Sequence, residues 1–262
     1  MPQPASATTA AISVQALPGI PLVEPGDDLN ALIGAALDAA GIALVDGDVL
    51  CVAQKIVSKA EGRLIRLSDV TPGPQASALA LETDKDPRLV ELVLQESTEV
   101  LRKKPGVLIV RHRLGLVGAN AGIDQSNIAH ADGDERALLL PVDPDASAAR
   151  LRAALERRFD ARLGVIITDS SNRPWRLGTI GSAIGCSGIR VLDDRRGGHD
   201  MFGRELKVTL INRADALATM ATLIMGETTE KTPVALIRGF PPEAADDPAQ
   251  ASVRPLEEDM FR

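Results

Sequence analysis

The segment GVIITDSSNRPWR, residues 164–176, sets four consecutive strand-favouring side chains ahead of an acid, two hydroxyls and two arginines. Val165, Ile166, Ile167 and Thr168 make a short unbroken apolar run, which suits a pleated, covered strand. Asp169, Ser170 and Ser171 then stop it, and Asn172, Arg173 and Pro174 turn the chain. A turn alone would need the acid but not the arginines. A metal-phosphate site would use all of them.

Other strand-like stretches are scattered between helical ones. DGDVLCVAQK reads as a turn and a buried strand, GVLIV (106–110), KVTLIN and PVALIRG as further strands. Asp27 and Asp28 are capping acids for a helix with apolar residues at Leu29, Leu32, Ile33, Ala36 and Leu37, stopping near Gly41. VSKAEGR reads as a polar loop. Residues 71–103 read as one or two helices with a break near Asp86-Pro87, and Ser147–Phe159 and Arg213–Met225 as two more. The elements do not alternate steadily, so an α+β or mixed α/β fold is expected rather than a doubly wound sheet. Residues 1–16 are expected to be a flexible N-terminal segment, 17–240 one domain, and 241–262 an extended tail, with Met260 and Phe261 as candidates to dock it.

The composition restricts the partners. Of 262 residues only 2% are aromatic (four Phe, one Trp, no Tyr), so the core must be aliphatic and rings for stacking single-stranded bases are scarce. A formal net charge of −7 argues against nucleic acid, though local arginines or metal ions can still attract a small anion. Cys51 and Cys186 are far apart, suggesting neither a disulfide framework nor a zinc knuckle, and Cys51 fits a core thiol. No apolar run approaches the ~18 residues of a membrane span. The first eleven residues carry no Lys or Arg, so no secretory signal is expected. A cytoplasmic protein follows from this reading.

Phosphate-binding glycine motifs of the usual kinds are missing. Gly178, Gly181, Gly185 and Gly188 have the wrong spacing and suit turns or tight backbone approach. Three histidines without H-x-x-x-H spacing make zinc chemistry a poor fit. What remains is a set of awkwardly placed acids: Asp124 among small and apolar residues, Asp169 at a strand end, and Glu227 after a helix. Singly, each also reads as a turn acid, a strand-end cap or a helix-terminal acid. Glu227 meets the negative end of a helix dipole, a conflict a nearby cation would remove. Such oxygen ligands suit Mg²⁺ or Mn²⁺, and with Lys55, Lys59, Arg173 and Arg176 they suggest metal-dependent phosphate chemistry.

Taken together, VAQKIVSKAEGR, HRLGLVGANAGIDQSN, LPVDPDASAARLR, VIITDSSNRPWRLG and TPVALIRGF resemble the coenzyme F420-0:L-glutamate ligase family, in order and spacing from about Leu17 to Phe240. The resemblance implies a stand-alone ligase without the nitroreductase-like domain some relatives carry. It implies an α+β fold whose protomers intertwine as a homodimer. The activity implied is GTP-dependent addition of L-glutamate to F420-0, a deazaflavin precursor, through an acyl phosphate, building a γ-linked tail. By the same resemblance Asp124 and Asp169 would hold one divalent ion, and Ser170 (often Thr in the family) and Glu227 would help hold a second, with K⁺ a further candidate ion. Gly19, Ile20, Pro21, Leu22, Gln54, Lys55, Lys59, Asn127, Gly226, Glu227, Thr228, Thr229 and Pro233 would line the guanine-nucleotide pocket. No residue is assigned a catalytic role. Two other classes stay open: a divalent-metal phosphohydrolase and a non-catalytic nucleotide-binding module.

Overall fold

The structure is a computed structural model that describes residues 11–130, 133–242 and 244–260. In chain order these form β1 (Ser13–Ala16), α1 (Leu29–Ala39), β2 (Val49–Ala53), α2 (Gln54–Ala60) and β3 (Leu64–Arg66). Next come α3 (Pro74–Thr83), α4 (Pro87–Gln95), β4 (Ser97–Lys104), β5 (Val107–His112), β6 (Val117–Ala119) and β7 (Arg136–Leu138). The second half carries α5 (Pro144–Phe159), β8 (Gly164–Ser171), β9 (Ile180–Ser187), β10 (Leu192–Asp194), β11 (Leu210–Asn212), α6 (Arg213–Met225) and β12 (Val234–Arg238).

The central sheet has the order β1-β12-β2-β8-β9, with only β2 and β8 paired in parallel. Its strands are apolar on both faces because helices cover both. Leu50, Val52, Val165, Ile167, Val234 and Leu236 pack into one core with α1 and α5. Val49, Cys51, Ile166, Ala235 and Ile237 alternate with them and pack against Ala214, Leu217, Ala218 and Ala221 of α6. A third core joins α3 and α4 to the β4-β5-β6 sheet and β7. The architecture is therefore mixed α+β, as expected. Cys51 and Cys186 are both buried, and burial pushes their thiols well above the ordinary range.

Two glycines of β9 show why so few bulky residues suffice there. A Cβ on Gly181 would stand 2.3 Å from the Ala218 carbonyl oxygen of α6, and one on Gly185 would stand 2.3 Å from the Pro144 carbonyl oxygen of α5. They let the helices approach the strand from opposite faces. A bulge between Ile167 and Thr168 of the register makes this possible by shifting β9's side-chain parity.

Several expectations need correction. VSKAEGR is a loop only from Glu61 to Arg63: Gln54–Ala60 form α2, whose inward face carries Gln54, Ile56, Val57 and Ser58. Residues 97–104 are not helix but β4, held by antiparallel pairing with β5. The strand read in KVTLIN is the short β11, paired only with β10. Asp28 alone caps α1, accepting from Asn30 and Ala31 N–H, while Asp27 accepts from Glu24 N–H at 2.8 Å.

The expected flexible segment 1–16 contains β1, which pairs with β12 along its length; residues 1–10 lie outside the described residues. The described part of the tail from 241 docks through its acids. Asp246 accepts from Gly188 N–H at 2.6 Å, Asp247 from Val191 N–H at 3.1 Å, and Asp259 from Arg111 at 3.2 Å. Met260 is exposed, and Phe261 lies outside the described residues. Among the described residues no helix is long and apolar enough to cross a membrane.

Candidate functional site

The pairing directions bring distant segments together. β1, β2 and β8 all point the same way, and β12 and β9 run opposite, so three strand ends and two strand starts share one edge. A ligand binding there meets backbone and side chains from several strands at once. Residues 19–22 follow β1, Gln54–Lys59 follow β2, Asp169 and Ser170 close β8, and residues 226–233 lead into β12. Backbone hydrogen bonds from Leu17 N to Val234 O and from Ala53 N to Pro233 O, each 2.8 Å, lock these segments side by side.

Asp124 arrives from another part of the chain. It bridges to Leu138 of β7 through two backbone hydrogen bonds, and Leu139 N–H in turn reaches Arg63 O, just after α2. That places residues 124–127 against α2, where Lys55 and Lys59 lie one turn apart on one face. Lys55 Nζ is 2.6 Å from Asp124 Oδ2 and donates to Ser126 Oγ at 2.9 Å; Lys59 Nζ donates to Asn127 O at 2.8 Å. Asn120, Ala121 and Asn127 all have positive φ (53°, 56° and 54°), so left-handed backbone brackets Asp124 at both sides.

The electrostatics centre on Asp169, whose charged neighbours are two acids and one lysine. Burial pushes the Asp169 carboxyl up to about 7, and Asp124 and Glu227 add to the rise, while Ser170 N–H and Lys55 oppose it. Burial also raises Asp124, but Lys55 and the Ser126 N–H outweigh it and hold that carboxyl below its ordinary value. Burial lowers the Lys59 ammonium, with Lys55 adding to the effect against Glu24. Asp169, Asp124, Glu227 and the Ser170 hydroxyl offer oxygen donors only, the set that suits Mg²⁺ or Mn²⁺, and a divalent ion would relieve their repulsion. The residues fit such an ion in donor type and charge. Among the described residues no three acid, His or Cys side chains converge at metal-holding distance.

The expected nucleotide residues divide into groups. Gln54 is 2% exposed; its Oε1 accepts from Ser58 Oγ at 2.9 Å, and its Nε2 has no hydrogen-bond partner. Such a buried, unspent amide donor invites a ligand acceptor. Ile20 faces the core, so only Gly19, Pro21 and Leu22 stand at the surface there. Gly226, Glu227, Thr228 and Thr229 form a turn closed by Glu230, whose carboxylate accepts from Thr228 N–H at 2.8 Å and Thr228 Oγ1 at 3.0 Å. Glu230 lies within the segment 226–233 expected to complete the nucleotide pocket, whereas Ser126 was not singled out. Ser126 had a signal, since Asp-x-Ser is an Asx turn, and Ser126 N–H does donate to Asp124 Oδ1 at 2.7 Å.

Comparison with known proteins gives this geometry a family. A protein of Methanopyrus kandleri named "Coenzyme F420:L-glutamate ligase" is 45% identical over 244 residues, covering 92% of this chain and 93% of its own. Proteins of the same name from Methanothermobacter thermautotrophicus and Archaeoglobus fulgidus are 42% and 40% identical, each covering 96% of this chain and 99% and 96% of their own. The family model described as F420-0:Gamma-glutamyl ligase matches residues 19–239, most of the 262. The chain belongs to the F420-0:gamma-glutamyl ligase family.

Proposed function

We propose that this protein joins L-glutamate to coenzyme F420-0, with GTP as phosphoryl donor, and extends the product into a γ-linked tail. The observation that carries the reading is the buried Asp169 at one end of the sheet, within the field of Asp124, Glu227 and Lys55, with Lys55 paired to Asp124 and the unspent amide of Gln54 next to Lys55 in the chain. It is supported by the names of the relatives.

The acceptor carboxylate attacks the γ-phosphorus of GTP; the bond to the β-phosphate oxygen breaks, and GDP leaves. The glutamate amine then attacks the acyl carbon, phosphate departs, and the amine gives up a proton as the amide forms. Asp124, Asp169, Ser170 and Glu227 would hold Mg²⁺ or Mn²⁺, and bound ions offset the charge of the phosphates. Lys55 and Lys59, pinned by Asp124, Ser126 and the Asn127 carbonyl, place two cations on the nucleotide side. Gln54 Nε2 and the turn 226–230 fix the nucleotide's orientation.

The protein works as a cytoplasmic homodimer. The β10–β11 arm supports pairing: Met201, Phe202 and Val208 are 87–89% exposed on it, an apolar surface that a second copy would cover.

Phosphate release from GTP tests the reading. It should require F420-0 and rise severalfold on adding L-glutamate, because the amine turns the acyl phosphate over. Release at an equal rate with no glutamate and no acceptor would mark a phosphohydrolase instead.

A further inference from the structure

The loop that leaves the candidate site strand has no role so far. β8 carries Asp169 and Ser170, and β9 returns antiparallel to it from Ile180, so residues 172–179 form a hairpin at the same edge as the acids. Arg173 Nη1 donates to Gly178 O at 3.0 Å and clasps the hairpin across its base. Between these residues, Trp175 sits with φ 69°, a left-handed conformation that a bulky side chain adopts at a cost. Its indole is 88% exposed, and Arg176 and Leu177 beside it are exposed too.

An exposed indole on a left-handed backbone stands out in a chain with five aromatic residues. Phe159 and Phe240 are partly buried under Arg158 and Arg213, and Phe202 belongs to the β10–β11 arm. Trp175 is the aromatic joined directly to the strand of Asp169. An apolar contact surface would gain little from the guanidinium groups at 173 and 176, whereas a ligand with a flat aromatic head and a phosphodiester would use both. Indole stacks on any extended π-face, and a guanidinium pairs with phosphate.

The geometry points to Trp175 as the platform on which the acceptor's planar deazaflavin head stacks, with Arg176 meeting its phosphodiester. This assignment rests on the ligase reading above and names the acceptor side of that site. Arg173 holds the hairpin and acts as a positioning residue. The acceptor's acid arm then runs from the hairpin tip toward Asp169, and the nucleotide enters from the opposite side, over α2. Stacking is sequence-of-atoms tolerant, so it fixes the ring without demanding a particular substituent; the phosphodiester contact sets direction.

The test is binding of F420-0, read from the anisotropy of its own emission, to the full-length protein and to W175A and W175F, with Mg²⁺ present. Loss of the indole should weaken binding by about ten- to a hundredfold, as for removal of a stacking ring elsewhere; W175F should retain most of the affinity. GTP affinity and melting temperature should not change in either variant. Because Trp175 is the sole Trp and the chain has no Tyr, wild-type emission reports on this residue, and should be quenched and shift to the blue with F420-0 but not with GTP alone. W175A binding F420-0 as tightly as wild type overturns the assignment and leaves the ligase reading standing. The same affinity together with a changed oligomeric mass overturns it too, and marks the hairpin as an interface. Wild-type protein that binds no F420-0 overturns both.

Discussion

Asn in place of Asp169 is expected to cost glutamyl transfer about a thousandfold and yet to raise the melting temperature of the metal-free protein. The two effects share one cause. Burial, with help from Asp124 and Glu227, holds the Asp169 carboxyl near 7 against an ordinary value of 3.8. A raised acid imposes no penalty at pH below about 4, where it is protonated in both folded and unfolded chains. The penalty grows as pH rises toward 7 and is complete above it, amounting to on the order of 2–4 kcal/mol at pH 8. Asparagine keeps the shape without the charge and escapes that cost. A divalent ion would cancel it for the wild type, so Mn²⁺ should raise the melting temperature of wild type much more than that of Asp169→Asn. Scanning calorimetry at pH 8 with and without Mn²⁺ measures both. A variant no more stable than wild type without metal, and equally stabilised by Mn²⁺, would remove Asp169 from the ion site.

A second large effect lies away from the site. Glu96, at the end of α4, is 9% exposed and its Oε2 meets Arg63 Nη2 at 2.8 Å, Arg113 Nη2 at 3.0 Å and His112 Nε2 at 3.4 Å. His112 Nδ1 accepts from Leu114 N–H, which leaves Nε2 to carry the ring proton toward Glu96. Burial raises the Glu96 carboxyl, but His112, Arg63 and Arg113 together outweigh it and hold it at about 2. The carboxylate therefore stabilises the fold above about pH 4.5, and that contribution drains away as pH falls toward 2. Glu96→Gln takes the counter-charge from two guanidinium groups, which keep only the Leu140 and Val142 carbonyls, and should cost about 2–3 kcal/mol at pH 7, below the fully buried case because Arg113 is a third exposed. Urea unfolding at pH 7 and pH 3 should show the gap between variant and wild type narrowing in acid. An equal gap at both pH values would mean the loss comes from packing rather than charge.

How much of this could be read from residues alone depended on whether neighbours in sequence decide the outcome. The run Val165–Thr168 announced a covered strand because no polar residue interrupts it, but Asp169, Ser170 and Ser171 do not stop it: pairing with β9 carries β8 on through Ser171. Arg213–Met225 was legible as a helix to the residue, since Ala and Leu at helical spacing follow a capping Asn212. α2 was not legible: its inward side chains include the polar Gln54 and Ser58, joined by a hydrogen bond from the Ser58 hydroxyl to the Gln54 amide oxygen, and these interrupt the apolar face. β4 misled for the opposite reason. Leu101, Arg102, Lys103 and Lys104 favour helix locally, and only pairing with β5 makes them a strand. Asp124 and Asp169 could each be singled out as odd, but their shared surroundings depend on the β7 bridge and on α2, which no local pattern encodes. The Glu96 cluster was missed entirely, because its four members come from three separate stretches of the chain and each looks ordinary alone.

The most direct test of the account is the mass of the product. Purified protein given F420-0, L-glutamate, GTP and Mn²⁺ should yield species heavier than F420-0 by one or more glutamyl units. The product should be absent without GTP and lost in Asp169→Asn. Glutamylated product formed without any nucleoside triphosphate, or GTP consumed with F420-0 left unchanged in mass, would contradict it.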